Sequence, residues 1–116
     1  MKFRTETFKD VAELVLDNER YKVYDLKLEH LTVSITELHP GKETRGHSHE
    51  NVEEVYLCLE GNGEIEVSLP AGGGQEKMPF GKGDVVTIPL GAFHRVYNKS
   101  KKDLKFMAIF EKYERV

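Results

Sequence analysis

The chain has a single cysteine, Cys58, among 116 residues. One thiol excludes an internal disulfide and fits a reducing compartment. No stretch approaches the roughly 18 consecutive apolar residues that a membrane span requires. The opening residues, MKFRTETFKD, lack the apolar core of a secretory leader. These features together set the expectation of a cytoplasmic protein. A basic excess is also missing, since 17 Lys and Arg against 20 Asp and Glu give a formal net charge of -3. That balance gives no reason to expect nucleic acid or an anionic membrane surface as partner. Internal repeats, low-complexity tracts and a second hydrophobic unit are likewise missing. The length suits one domain, residues 1–116, with one hydrophobic core.

What remains is a series of short apolar alternations punctuated by glycine and proline. Tyr21 to Leu28 and Leu31 to Leu38 read as strands, the second with Leu31, Val33 and Ile35 against Thr32, Ser34 and Thr36. Further strands are expected around His47 to His49, Glu54 to Leu59, Glu64 to Leu69, Val85 to Ile88, Phe93 to Asn98 and Leu104 to Phe110. Gly61-Asn62-Gly63 reads as a tight hairpin, Lys99 to Asp103 as a charged hairpin loop and Pro70 to Lys77 as a flexible loop. Met78 to Lys82 then leads into the turn at Gly81 to Gly83. Near the start, Val11, Leu14 and Val15 fall at helical spacing behind a capping pattern at Thr7 and Asp10. The spacing predicts a short helix within Thr7 to Asn18, with an edge strand over Val11 to Leu16 as the alternative. Many short strands joined by such turns argue for an all-β sandwich or barrel.

Two stretches carry the chemistry. The first, Gly41 to Gly61, contains His47-Ser48-His49 and, five residues on, Glu54. Histidines at i and i+2 on a strand point to one face with Cα atoms roughly 6.5–7 Å apart, so both imidazoles reach one metal ion. A carboxylate after a short turn adds an oxygen ligand. The second stretch, Gly83 to Asn98, offers His94 as a further ligand. Three imidazoles and one carboxylate suit a divalent first-row metal: Fe, Mn, Co, Ni, Cu or Zn.

The first stretch places Gly41, His47, His49, Glu54 and Gly61 at fixed intervals. The second does the same with Gly83, Pro89, Gly91, His94 and Asn98. This resembles the two motifs of the cupin superfamily at every defining position. The resemblance implies a double-stranded β-helix, or jelly roll, with the metal inside its mouth. The interval to Gly61 selects Glu54 over Glu53 as ligand, although a rule of apolar residues inward selects Glu53. With Glu54 inward, Tyr56 and Cys58 face the interior, joined by Val96 and Asn98, while Val55, Leu57 and Leu59 face outward.

Tyr56 is then a candidate hydrogen-bond donor or acid toward a substrate, and Glu53 a candidate base. Cys58 reads as a small buried hydrophobe. Arg45, just before the first ligand, is a candidate rim residue able to clamp a carboxylate or phosphate. Arg95 alternates with His94 and should face away from the metal. Gly91 and Asn98 read as turn and strand-end devices, and His30 and His39 fit no ligand pattern. A small-molecule substrate is the expected partner. The superfamily hosts many chemistries on one site. Oxygen-dependent dioxygenase or oxidative decarboxylase chemistry, sugar-phosphate isomerisation, and non-catalytic binding or sensing all remain open. TRGHSH at Thr44 to His49 and EVYLCLEGNGE at Glu54 to Glu64 resemble the cupin-type glucose-6-phosphate isomerases of archaea. This chain is considerably shorter than those enzymes. The surplus of outward apolar residues, together with the habit of small cupins, predicts a homodimer.

Overall fold

Period-two alternation makes the strands, and the inward half of each alternation makes the core. In the computed structural model, which describes residues 1–111, nine strands run in chain order. They are β1 (Glu13–Asp17), β2 (Tyr21–Lys27), β3 (Leu31–Leu38), β4 (Glu54–Glu60), β5 (Asn62–Ser68), β6 (Gln75–Gly81), β7 (Val85–Ile88), β8 (Phe93–Tyr97) and β9 (Leu104–Glu111). Six form one sheet in the order β1-β2-β3-β9-β4-β7, and three form the other in the order β6-β5-β8. Every pairing is antiparallel. The result is a jelly roll. Among the described residues, no helix is long and apolar enough to cross a membrane.

β9 shows how the pattern works. Leu104, Phe106, Ala108 and Phe110 are buried, while Ile109 between them is exposed. Across the gap, Ile65 and Val67 of β5, Phe80 of β6 and Val96 of β8 are buried from the other sheet. Tyr56 stacks on Phe106 with centroids 5.3 Å apart, and Phe80 meets Phe106 edge-on at 5.9 Å. Full burial of one such side chain contributes about 1.5–3 kcal/mol.

Several local expectations need correction. The N-terminal segment is not helical to Asn18: a 3-10 turn covers Thr5–Asp10 and strand β1 follows, so the edge-strand alternative holds for its second half. This turn drops Phe8 onto Tyr24 and Ile35, on the outer face of the six-stranded sheet. Long-range packing of one aromatic thus outweighs the local helical spacing. Gly61 does not make a hairpin, because β4 and β5 lie in different sheets. Its φ of +93° suits only glycine, and an added Cβ would stand 2.9 Å from the Asp103 carbonyl oxygen. Lys99 to Asp103 is likewise a passage between sheets, from β8 to β9. The stretch read as loop and lead-in contains β6, which pairs with β5 from Asn62↔Gly81 to Ser68↔Gln75. Its low apolar content concealed it, as expected of an edge strand with solvent on one side.

Asn98 acts as the expected strand-end device. Its Nδ2 donates to the carbonyls of Leu38 at 2.9 Å and Lys102 at 2.7 Å. Its Oδ1 accepts from the Ser100 backbone N–H at 3.0 Å and hydroxyl at 2.8 Å. The side chain is buried and its bonds tie the β8–β9 passage to the end of β3.

Candidate metal centre

The segment between β3 and β4 folds back along β8 and delivers the histidines. Thr44 and His47 donate backbone N–H groups to Val96 and His94 at 2.9 and 3.1 Å, and His94 returns one to His47 at 2.9 Å. Gly91 then donates to the His49 carbonyl at 2.7 Å. The expected histidine strand is therefore an isolated bridge, His47↔His94, rather than a regular strand. Gly46 sets the approach. Its φ is +78°, and a Cβ there would stand 2.6 Å from the Phe93 ring.

Three elements converge on one point: this segment with His47 and His49, β4 with Glu54, and β8 with His94. Ligand atoms of His47, His49 and Glu54 all lie within 4.8 Å of one another. His94 Nε2 is 2.7 Å and His47 Nε2 is 3.7 Å from Glu54 Oε2. Donors bonded to one octahedral ion at about 2.1 Å stand about 3.0 Å apart when adjacent and about 4.2 Å apart when opposed. The spacing fits a shared ion. The rings crowd accordingly, with His47 centroids 4.7 Å from His49 and 4.2 Å from His94.

The polar bookkeeping agrees. His47 Nε2, His94 Nε2 and Glu54 Oε2 are buried atoms without a hydrogen-bond partner among the described residues. Buried polar atoms are rarely left so. The His94–Glu54 approach is short enough for an ion pair, yet it does not meet hydrogen-bond geometry. Its other nitrogen, Nδ1, lies 3.2 Å from the Ala92 carbonyl oxygen, which accepts the ring proton there. That tautomer leaves Nε2 a lone pair facing the carboxylate, as a metal ligand backed by a carbonyl would be. The residues present therefore fit a divalent cation. Burial pushes the Glu54 carboxyl up, but where the His47 and His94 rings carry a proton toward it their contacts outweigh this and hold it down at about 2. Glu54 and His94 side chains are 2% exposed and that of His47 is 41% exposed, so the centre opens to solvent on the His47 side.

The other candidates divide. Tyr56 is buried on β4, with its ring edge-on to His94 at 5.4 Å. Cys58 is buried too, and burial pushes its thiol up to about 11. Glu53 is exposed at the residue before β4 and is not brought into the cluster. Arg45 is exposed two residues before His47, and its carbonyl accepts a hydrogen bond of 2.9 Å from Arg95 Nη2. Arg95 lies over the Phe93 ring, on the face opposite His94. His39 pairs with Asp103 at 3.2 Å, away from the centre. The supporting carbonyl of Ala92 escaped sequence reasoning, since a backbone acceptor has no side-chain signature.

Comparison with solved structures places the architecture. Oxalate decarboxylase of Bacillus subtilis superposes with TM-score 0.80 at 22% identity, over 90% of this chain and 29% of that one. The formate complex of the Lactobacillus farciminis oxalate decarboxylase gives TM-score 0.80 at 24% identity, over 90% and 32%. The capsular polysaccharide assembling protein CapF of Staphylococcus aureus gives 0.79 at 20%, over 90% and 29%. This chain spans less than a third of the length of each. At these identities the likeness is one of fold. No curated protein matches the sequence. Residues 34–110, more than half of the chain, match the cupin domain family, from the middle of β3 to the end of the last buried strand, and the protein is a cupin.

Proposed function

We propose that this cupin is a divalent-metal-dependent enzyme acting on a small molecule. One first-row metal is held by His47, His49, Glu54 and His94. The observation that carries this reading is the convergence of buried atoms of His47, Glu54 and His94 that lack hydrogen-bond partners among the described residues, with His49 in the same cluster as His47 and Glu54. When bound, such a metal supplies Lewis-acid polarisation of a substrate oxygen. Tyr56, beside His94, is positioned to hydrogen-bond that substrate or to hold a proton for it. Glu53, being exposed, takes no catalytic role in this reading. Arg45 stands on the exposed approach to His47 and attracts an anionic group to the mouth.

The Mn(II) centres of Bacillus subtilis oxalate decarboxylase support a metal in this architecture. They also favour oxidative or decarboxylating chemistry on a small carboxylic acid over sugar-phosphate isomerisation. The exposed Val55, Val85 and Ile109 on the outer sheet face support assembly as a homodimer. Elemental analysis of purified protein tests the first half: about one metal ion per chain is expected. A turnover screen with small carboxylic acids and sugar phosphates, with and without oxygen, tests the second. Oxygen-dependent loss of a carboxylic acid supports the reading. Oxygen-independent turnover of a sugar phosphate replaces it with isomerisation. Saturable binding with no turnover makes the protein a binding module.

A further inference from the structure

Strands β6 and β7 leave the same turn and enter different sheets. At that turn Gly81 N–H donates to the Asp84 carboxylate at 2.8 Å, and Asp84 N–H to the Gly81 carbonyl at 2.9 Å. From there the strands diverge, each an edge of its sheet. A cavity of about 530 Å³ occupies the gap between them, at the end of the barrel that holds the metal ligands. That volume falls in the range of small-molecule sites. Its apolar walls include Val67, Met78, Val86 and Pro89.

The cavity lies beside the candidate metal centre without containing any of its ligands. Val67 is the register partner of His94, and Val86 that of Tyr56. On the other side of Val67 stands Glu76, its partner on β6. Val67 faces inward, so Glu76 shares that face and lines the cavity. Glu76 makes no ion pair among the described residues, and no basic side chain lines the cavity. An inward charge on an edge strand discourages stray pairing. Here it also gives an apolar cavity a negative mouth.

We propose that this seam is a binding site for a small amine carrying an aromatic or branched aliphatic group. The apolar body fills the space between Val67, Met78 and Val86, and the ammonium faces Glu76. The site requires no metal.

Methionine methyl resonances test it directly. The chain has three methionines: Met78 lines the cavity, Met107 is partly buried on β9 outside it, and Met1 is exposed. Protein labelled at the methionine methyls is titrated with 2-phenylethylamine, ethylamine and phenylacetate. 2-Phenylethylamine should shift Met78 saturably and leave Met107 in place. Ethylamine, lacking the ring, should not. Phenylacetate should bind more weakly by about two- to fivefold, the strength of an exposed ion pair. Glu76→Gln, at an exposed position, should erase that preference, and Val86→Trp should abolish the Met78 shift. No saturable Met78 shift in the wild-type protein overturns the site. Equal affinity for amine and carboxylate overturns the role of Glu76.

Discussion

Glu54 Oε2 and His94 Nε2 approach to 2.7 Å inside the barrel, with the other ring nitrogen of His94 turned to the Ala92 carbonyl. Two acceptors at that distance repel unless a cation lies between them. Either a proton or a metal ion can serve. His47 and His49, brought to the same point, argue for the ion.

Ligand substitution separates the two. His47→Ala, His49→Ala and His94→Ala should each lower metal affinity by more than the roughly 10- to 100-fold that loss of an outer-shell partner costs. Glu54→Gln should do the same, and Glu53→Gln should have little effect because Glu53 is exposed. Elemental analysis after dialysis reads the result. Full occupancy in the triple histidine variant would place the site elsewhere.

Acid should release the metal as pH falls through about 6 to 4, because imidazoles bind in their neutral form and the reference histidine value is about 6.5. Glu54 does not cause this release. Its carboxyl is held at about 2, below the unfolded carboxyl range. A depressed carboxyl adds stability that is full above its unfolded value of 4.5 and is lost progressively as pH falls from there to about 2. Occupancy that persists at pH near 4 would contradict an imidazole-based site. Because the metal binds the folded chain, its removal should also lower the melting temperature.

Tyr56 and Cys58 share the inner face of β4 but should behave differently. Tyr56→Phe should retain metal and lose turnover by about 100-fold or more, as for removal of a proton donor. Cys58→Ala should leave turnover unchanged and cost about 1 kcal/mol in stability. A thiol pushed up to about 11 is not a nucleophile at neutral pH. Unchanged turnover in the Tyr56 variant would make that ring a wall residue.

The candidate metal donors were legible because they rest on side-chain identity at fixed intervals, and β4 was legible because Glu54, Tyr56 and Cys58 alternate strictly. Sheet membership was not. A glycine turn after Glu60 looks the same whether the chain returns along β4 or crosses to the other sheet. What decides is the Asp103 backbone packed against Gly61, a contact far away in sequence. β6 was hidden by the glycines before it and by the polar run Gln75 to Lys77 at its start. The fold of the N-terminus depends on where Phe8 finds a partner, which local spacing does not encode.

Gly46 offers a test of how the histidines are delivered. Gly46→Ala puts an L-residue at φ +78° and a Cβ 2.6 Å from the Phe93 ring and 2.9 Å from Arg95 Nε. The backbone strain alone costs about 1–3 kcal/mol. Relief comes from displacing the Phe93 and Arg95 side chains or from moving the segment carrying His47 away from β8, and both loosen its seat on that strand. Both stability and metal affinity should therefore fall, although no ligand has changed. Thermal melts of the metal-free and metal-loaded variant measure the two losses separately. Intact metal affinity would mean that the loop reaches β8 without help from this glycine.

The outer face of the six-stranded sheet bears on assembly. Phe8 and its neighbours in the N-terminal segment cover Tyr24 and Ile35. Beyond them the register aligns Val33 with Ile109, Ile109 with Val55, and Leu57 with Val85. Val55, Ile109 and Val85 are exposed at 40%, 39% and 60%. Such a contiguous apolar face on three neighbouring strands marks an interaction surface. A second copy meeting it about a two-fold axis buries the same residues on both sides. Light scattering at micromolar concentration should return a dimer mass. Val55→Lys should shift it to the monomer, while metal occupancy stays unchanged because Val55 points away from the centre. A monomer mass for the unaltered chain would refute the dimer. A dimer indifferent to Val55→Lys would move the contact to another face.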